Sequence, residues 1–211
     1  MSANSLLFVD LDGTLVDVFE RYHRLHVDLV SEVGGAAAIE RSAYLAAKRA
    51  GVSEDRIVQP CFDTPGLLKA YLNIRESRIE TPQYLAYDRP FPWTVETLNR
   101  LREGCGVHLV TARRSRRNLD VQLRDLGLDQ LLDSTTTAPN GDKVSAIEAH
   151  PSFTARYTTI VGDTELDVAT GKRLGIPTIA VTCGLRNEAF LRSIGADSVI
   201  ANVSELSIAT A

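Results

Sequence analysis

The sequence predicts an α/β protein: a doubly wound, parallel-sheet (Rossmann-like) core with an inserted α-helical cap. Three observations lead there. Short, nearly continuous apolar or β-branched runs recur at residues 6–10, 107–112, 158–163, 178–183 and 198–201. Such runs suit strands covered on both faces, as in a parallel sheet under helices. Helical stretches alternate with them at 93–103, 117–127, 142–150, 166–175 and 187–195, and that alternation builds an open doubly wound sheet. One long interval, 18–88, carries helical patterns and no run of the buried-strand kind.

Taken in order, the chain opens on the run 6–10, closed by "FVDLDGTLVD" with Asp10, Asp12 and a turn at Gly13. Helical patterns follow at 19–33, 36–50 and 64–79, broken at Gly34-Gly35, Gly51 and Pro60. The stretch "YDRPFPW" restarts the α/β alternation, and its two prolines suit a hinge. Gly127, Gly175 and Gly195 each follow a helical segment, where a C-terminal cap glycine belongs. The expected domains are a core of residues 1–17 and 89–211 and a helical cap of residues 18–88, with the two joints adjacent in space.

Composition narrows the partners. The 211 residues, 44% hydrophobic, suit one sizeable domain or one carrying a smaller insert. A formal net charge of −4 argues against nucleic acid or an anionic membrane as main partner. Cys61, Cys105 and Cys183 are far apart, odd in number and form no CxxC, which reads as free thiols in a reducing compartment. The opening "MSANSLLFVD" has no basic n-region, so it does not read as a signal peptide. No stretch approaches the length of a membrane span. The expectation is a soluble, cytoplasmic protein.

Ligands of open α/β sheets bind outside the carboxyl ends of the strands. Asp10 ends the first run, Thr111 closes "VHLVTAR", and Asp163 ends "TTIVGD" with Asp167 four residues later. Lys143, the only lysine between residues 70 and 171, opens a helix between the second and third of these strands. On such a sheet, Asp10, Asp12, Asp163 and Asp167 converge on one edge with a hydroxyl and an ammonium. Two like charges about 4 Å apart repel by about 4 kcal/mol at an effective dielectric of 20, so the acids need a cation. Carboxylate and carbonyl ligands without nearby cysteine or histidine point to Mg²⁺. Mg²⁺ takes one or two carboxylates and leaves another free as a nucleophile toward phosphorus. Asp10 and Asp12, at i and i+2, face one side of a strand. Metal charge near Asp10 and apolar cover over Asp12 are expected to separate their pKa values.

The ordered motifs "DLDGT", "VTAR", Lys143 and "GDTELD" resemble those of the haloacid dehalogenase-like superfamily of phosphohydrolases, and the insert after the first motif resembles its C1-type cap. The resemblance implies that Asp10 is the nucleophile and a Mg²⁺ ligand. It implies that Asp12 is the general acid/base and binds the metal through its carbonyl. Thr111 and Ala112 then bind the phosphoryl group and Lys143 neutralises it. Asp163 ligates Mg²⁺, and Asp167 supports the metal directly or through water. Val144 stands where many relatives have proline. Dehalogenases of the superfamily lack the second acid, so Asp12 favours a phosphatase.

The expected function is Mg²⁺-dependent hydrolysis of a small phosphate monoester (a sugar phosphate, phosphoglycolate or a nucleotide) through an aspartyl-phosphate. A phosphomutase is the alternative with the same residues. A phospho-acceptor signalling module is the third reading, disfavoured by motif order and by the insert. Elsewhere, "RRSRR" at 113–117 reads as a solvated helix start from which Arg113 alone reaches the site. His23 and His26, at i and i+3, have no third ligand and read as ordinary core or surface histidines. Lys48, Arg49, Arg75 and Arg78 read first as surface charge and second as contacts to substrate anions.

Overall fold

The computed structural model describes residues 5–207. Strand β1 (Ser5–Val9) runs through the middle of the main sheet. Its side chains alternate: Leu7 and Val9 pack with Val107, Leu109 and Val161, while Leu6 and Phe8 pack with Val110 and Ile160. Both faces are therefore apolar, which is why the run is continuous rather than alternating.

The chain leaves the core through β2 (Val16–Asp17) and enters a helical insert: α1 (Phe19–Glu32), α2 (Arg41–Arg49), α3 (Glu54–Val58), α4 (Pro65–Arg78) and α5 (Pro82–Leu85). It returns through β3 (Arg89–Pro90), which pairs antiparallel with β2, so the two joints are adjacent. The insert has its own apolar cluster, built on Leu25, Leu29, Tyr44, Val58 and Tyr71. Helix α1 presents Arg21, Leu25, Leu29 and Val30 as its buried stripe, at helical spacing.

Two departures from expectation occur here. The second insert helix begins at Arg41, not at residue 36. The preceding backbone is pinned elsewhere: Ile39 N donates to His26 Nε2 at 2.9 Å, and Ala36 N to the Cys61 carbonyl at 2.9 Å. The short helices α3 and α5 were also not legible, each being close to a single turn.

The core resumes with α6 (Thr94–Arg102), β4 (Cys105–Thr111), α7 (Arg116–Asp125), β5 (Ser134–Thr137), α8 (Lys143–Glu148), β6 (Thr158–Gly162), α9 (Glu165–Leu174), β7 (Thr178–Val181), α10 (Glu188–Ser193) and β8 (Ser198–Ile200). The six long-range strands are parallel, in the order β5-β4-β1-β6-β7-β8. Strand β5 is the unexpected one. Its sequence STTT has no strongly apolar residue, because an edge strand is only half covered. The chain order reverses beside β1, so a crevice opens at the carboxyl ends of β1, β4 and β6. Gly127, Gly175 and Gly195 take positive φ after their helices, as expected.

The insert is seated on that crevice at two flanks. Arg49 donates to the carbonyls of Thr182 and Gly184 at 2.8 and 2.9 Å, and Asn187 N to the Arg49 carbonyl at 2.7 Å. Opposite, the Glu80 carboxylate accepts from the backbone N–H groups of Arg114 and Ser115, each at 3.0 Å. Among the described residues no helix is long and apolar enough to cross a membrane. Cys61, Cys105 and Cys183 are free.

Candidate active site

Asp10 follows β1 and is held in line by its amide, which donates to the Val161 carbonyl at 2.9 Å. Lys143 stands at the first turn of α8, whose N-cap Asp142 accepts from Ser145 N. The Lys143 Nζ lies 2.7 Å from Asp10 Oδ1 and 2.7 Å from Asp167 Oδ1. The other oxygen of Asp167 closes a capping box, accepting from Thr164 N at 3.1 Å and Thr164 Oγ1 at 2.8 Å. Asp167 is thus held by Lys143 and by the start of α9, beside Asp10 and Asp163.

Asp163, after β6, is fully buried and touches no cation. It accepts from Thr14 Oγ1 at 3.1 Å and from Leu185 N at 2.6 Å. Two glycines make room for it. A Cβ on Gly13, which has φ +82°, or on Gly184 would lie 2.2 Å from Asp163 Oδ2. The turn after Asp10 therefore requires glycine both for its dihedral and for the carboxylate behind it.

Oxygens of Asp10, Asp163 and Asp167 come within 4.8 Å of one another. Three buried carboxylates face one ammonium, which leaves a deficit of two positive charges. Burial, with Asp10 and Asp167 nearby, holds the Asp163 carboxyl well above the usual range. Burial also pushes Asp10 up to about 7, against the pull of Lys143. A divalent cation held among Asp10, Asp163 and Asp167 would supply the missing charge, and the all-oxygen donor set suits a hard ion. The residues present fit such a metal.

The environment of Asp12 differs from expectation and is a correction. Guanidiniums rather than an apolar cover set its charge state. Arg113 clamps it with two bonds, Nε to Oδ2 at 2.7 Å and Nη2 to Oδ1 at 2.6 Å, and Arg21 Nη2 lies 3.0 Å from Oδ2. Burial raises its pKa, but the guanidiniums of Arg113 and Arg21 outweigh burial and hold the carboxyl well below its usual range. The pKa values of the two acids are separated, Asp10 upward and Asp12 downward, whereas the expectation rested on a metal's charge near Asp10 and an apolar cover over Asp12.

Asp10, Asp12, Thr111, Ala112 and Lys143 line one cavity of about 260 Å³, so the structure brings the phosphoryl-binding and nucleophilic candidates together. Thr111 is buried at the end of β4, its carbonyl accepting from Ala138 N at 2.7 Å. The cavity roof was not foreseen. It consists of Arg21 and Tyr22 from α1 with Ile79 and Glu80 from the end of the insert, and Glu165 and Leu185 from the core. One signal for Arg21 existed: it falls on the stripe of Leu25 and Leu29, where a charged residue must have a partner. Behind it, Asp88 pairs with Arg21 at 3.1 Å, Arg113 at 3.3 Å and Gln122 at 2.7 Å.

The other basic residues divide differently than expected. Lys48 and Arg75 are largely buried against Glu54, each at 3.1 Å, and Glu54 also accepts from the hydroxyls of Tyr44 and Tyr71. Arg78 pairs with Glu32 on the surface. In "RRSRR", Arg113 alone enters the site, while Arg114 pairs with Glu76 and Arg116 with Asp120. His26 is a satisfied core histidine, bonded to Tyr71 Oη at 3.1 Å as well as to Ile39 N, and His23 Nε2 meets the Ile39 carbonyl at 3.0 Å.

A parallel-sheet core with acids, a lysine and a threonine gathered at its carboxyl edge is suited to phosphoryl transfer. The chain belongs to the haloacid dehalogenase-like hydrolase family, whose model matches residues 6–181. Among curated relatives, pyrophosphatase PpaX of Bacillus mycoides (strain KBAB4) is 28% identical over 53% of this chain and 55% of that protein. PpaX of Bacillus cereus (strain ATCC 10987 / NRS 248) is 26% identical over 98% of this chain and 95% of that protein. Among solved structures, a haloacid dehalogenase-like family hydrolase, SP0104 from Streptococcus pneumoniae, superposes with a TM-score of 0.79 at 20% identity, covering 97% of both chains. A protein described as a predicted phosphoglycolate phosphatase, from Haemophilus somnus 129pt, gives 0.73 at 18% identity over 97% of both chains. These two structures share the fold.

Proposed function

We propose that the protein is a Mg²⁺-dependent phosphatase that hydrolyses a small phosphate monoester through an aspartyl-phosphate on Asp10. The observation that carries this reading is the asymmetric holding of Asp10. Lys143 grips Oδ1 at 2.7 Å, while no described residue hydrogen-bonds to Oδ2. A carboxylate fixed at one oxygen and open at the other, at the floor of a cavity, is oriented to attack.

Asp10 Oδ2 forms a bond to phosphorus as the bond from phosphorus to the leaving oxygen breaks. Asp12, in its protonated form, donates to the leaving oxygen. Asp12 then takes a proton from a water whose oxygen bonds to phosphorus, and the bond from phosphorus to Asp10 breaks. Inorganic phosphate departs and the Asp10 carboxylate is restored. Thr111, Ala112 and Lys143 hold the equatorial oxygens and spread their charge. Asp10, Asp163 and the Asp12 carbonyl, with Asp167 directly or through water, would hold Mg²⁺, which would supply positive charge toward the phosphoryl group. Asp167 holds Lys143 in place from the side away from substrate.

The helical insert, residues 18–88, acts as a cap. It covers the carboxyl edge, its joints pair as β2 and β3, and its two docking flanks are polar and separable. Seated, it leaves room for a small ester and none for a folded phosphoprotein. The relatives named pyrophosphatase act, by that name, on a small phosphorylated compound, which supports this class.

The test is a panel of phosphate esters assayed with Mg²⁺ and with excess chelator. Phosphate release in the first and loss of it in the second is the expected result. No turnover of any ester, or an acid-stable phosphoprotein that persists for minutes, would overturn the hydrolase reading in favour of a phospho-acceptor. Phosphate transfer within a substrate without release would identify a mutase.

A further inference from the structure

The cavity above Asp10 contains two guanidiniums that the hydrolytic steps do not use. Arg21, on the first turn of α1, is 1% exposed. Its Nε lies 3.1 Å from Asp88 Oδ1 and its Nη2 3.0 Å from Asp12 Oδ2, yet neither nitrogen makes a directed hydrogen bond. Its one directed bond is long, Nη1 to the Ile79 carbonyl at 3.4 Å. Arg21 is thus held chiefly by ion pairs to two carboxylates. Arg113, 4% exposed, faces Arg21 across Asp12 and spends its fork on that carboxylate. Asp12 therefore occupies the place an anion takes between two guanidiniums, both of which line the cavity.

A neutral leaving group gives no reason for that arrangement. A sugar or alkyl hydroxyl is matched by mixed donors and acceptors. Paired buried guanidiniums match the fork geometry of a carboxylate or phosphate. Behind Tyr22, Lys48 Nζ and the Arg75 guanidinium stand 5.4 and 5.2 Å from the ring centre, against the carboxylate of Glu54.

We propose that the substrate's leaving group carries its own negative charge, a carboxylate or a second phosphate, and that Arg21 and Arg113 bind it. This rests on the phosphatase reading and deepens it. The incoming anion takes over the fork that Asp12 now fills. Asp12 is thereby released toward the leaving oxygen, so that recognition of the leaving group and readiness of the acid are one event. A phosphate compound lacking the second charge leaves Asp12 in its clamp.

The experiment has a binding arm and a turnover arm. Calorimetry at saturating Mg²⁺ compares phosphonopropionate with propylphosphonate, a matched pair of uncleavable phosphonates differing in the carboxylate. The parent is expected to bind the first at least about tenfold more tightly, the scale of one charge-assisted fork. Arg21→Gln is expected to reduce that ratio to about twofold or less, and Arg21→Lys to restore part of it. Arg21→Gln combined with Asp88→Asn keeps the local charge balanced and carries the test if the single variant unfolds. Turnover is compared on phosphoglycolate, pyrophosphate and hydroxyethyl phosphate. Arg21→Gln should raise KM for the first, the second or both by at least about tenfold more than for the hydroxyethyl ester, and which of the two it raises identifies the anion. Equal binding of the two phosphonates by the parent, or equal losses on all three substrates in the variants, overturns the proposal. Selective binding without any turnover retains the anion site and refutes the phosphatase reading instead.

Discussion

Arg49, at the last turn of α2, donates to the Gly184 carbonyl at 2.9 Å, and the next residue along, Leu185, donates its amide to Asp163 at 2.6 Å. A side chain of the insert thus braces the loop that orients a buried carboxylate of the core. With a metal on Asp163, seating of the cap and metal affinity share one loop. Outer-shell partners of this kind typically change metal affinity by 10–100-fold. Arg49→Ala should weaken Mg²⁺ binding by about tenfold, at the low end of that range, because the loop keeps its own backbone contacts. It should also loosen one docking flank and speed proteolysis within the insert. Calorimetric titration with Mg²⁺ and limited proteolysis check both effects. Unchanged Mg²⁺ affinity would show that the loop holds Asp163 without the cap.

Asp10→Asn should abolish turnover, by a factor on the order of 10⁴ or more, as removal of a covalent nucleophile does. The fold should survive, since Asp10 makes no apolar contact in the core clusters and the substitution removes one of three clustered negative charges. Steady-state kinetics and circular dichroism give the two answers. Retention of more than a few per cent of activity would assign the nucleophile elsewhere.

Asp10, Asp12, Thr111, Lys143, Asp163 and Asp167 were legible because each stands at a strand end or helix start that periodicity could locate. The strands themselves were legible where both faces are buried. Strand β5 was not, since an edge strand of serine and threonine leaves no apolar run. The roof of the site was hidden for a different reason. Arg21, Glu80 and Asp88 acquire meaning only when the insert is folded back over the core. Their partners, Asp12, the Arg114 and Ser115 amides and Arg113, lie 9, 34, 35 and 25 positions away in the chain, and no local pattern marks the pairings. The clamp on Asp12 inverted an expectation for the same reason: Arg113 sits in a basic run whose other members are solvated.

Asp12→Asn should slow both phosphorylation and dephosphorylation of Asp10. General acid–base catalysis contributes typically 10²–10⁴-fold, so losses of about that size are expected for an alkyl phosphate whose leaving group carries a second negative charge, such as phosphoglycolate. Aryl phosphates with good leaving groups need less proton donation and should lose less in the first step. Single-turnover phosphorylation of the two ester types separates the roles. Equal losses would leave Asp12 a structural partner of Arg113 and no acid. The asparagine also frees the Arg113 fork, so phosphate should bind the variant more tightly than the parent in the same experiment.

The acid cluster sets how the metal-free protein responds to pH. Asp10 is raised from 3.8 to about 7, chiefly by burial, and Asp163 is raised well above its usual value for the same reason. The folded state therefore binds more protons than the unfolded chain between about pH 4 and 7, and stability falls as pH rises across that window. The slope for one proton is at most about 1.4 kcal/mol per pH unit. Asp12 has the opposite sign, with its pKa lowered, and its contribution is lost only in acid, below its ordinary range. Without metal, the parent should thus melt higher at pH 5.5 than at pH 8, two conditions chosen about that window. Asp163→Asn removes one of the repelling charges and should raise the metal-free Tm at pH 8 by about 4–8 °C, corresponding to about 2 kcal/mol for a chain of this size. Saturating Mg²⁺ should reverse the order. Ligand at about 100 times its Kd adds about 2.7 kcal/mol to the parent, and the variant, having lost a ligand, gains little. Thermal melts of both proteins at the two pH values, with Mg²⁺ and with chelator, decide the matter. A parent Tm that does not fall between pH 5.5 and pH 8 in chelator, or a variant that gains as much from Mg²⁺ as the parent, would mean that Asp163 neither repels Asp10 nor holds the metal.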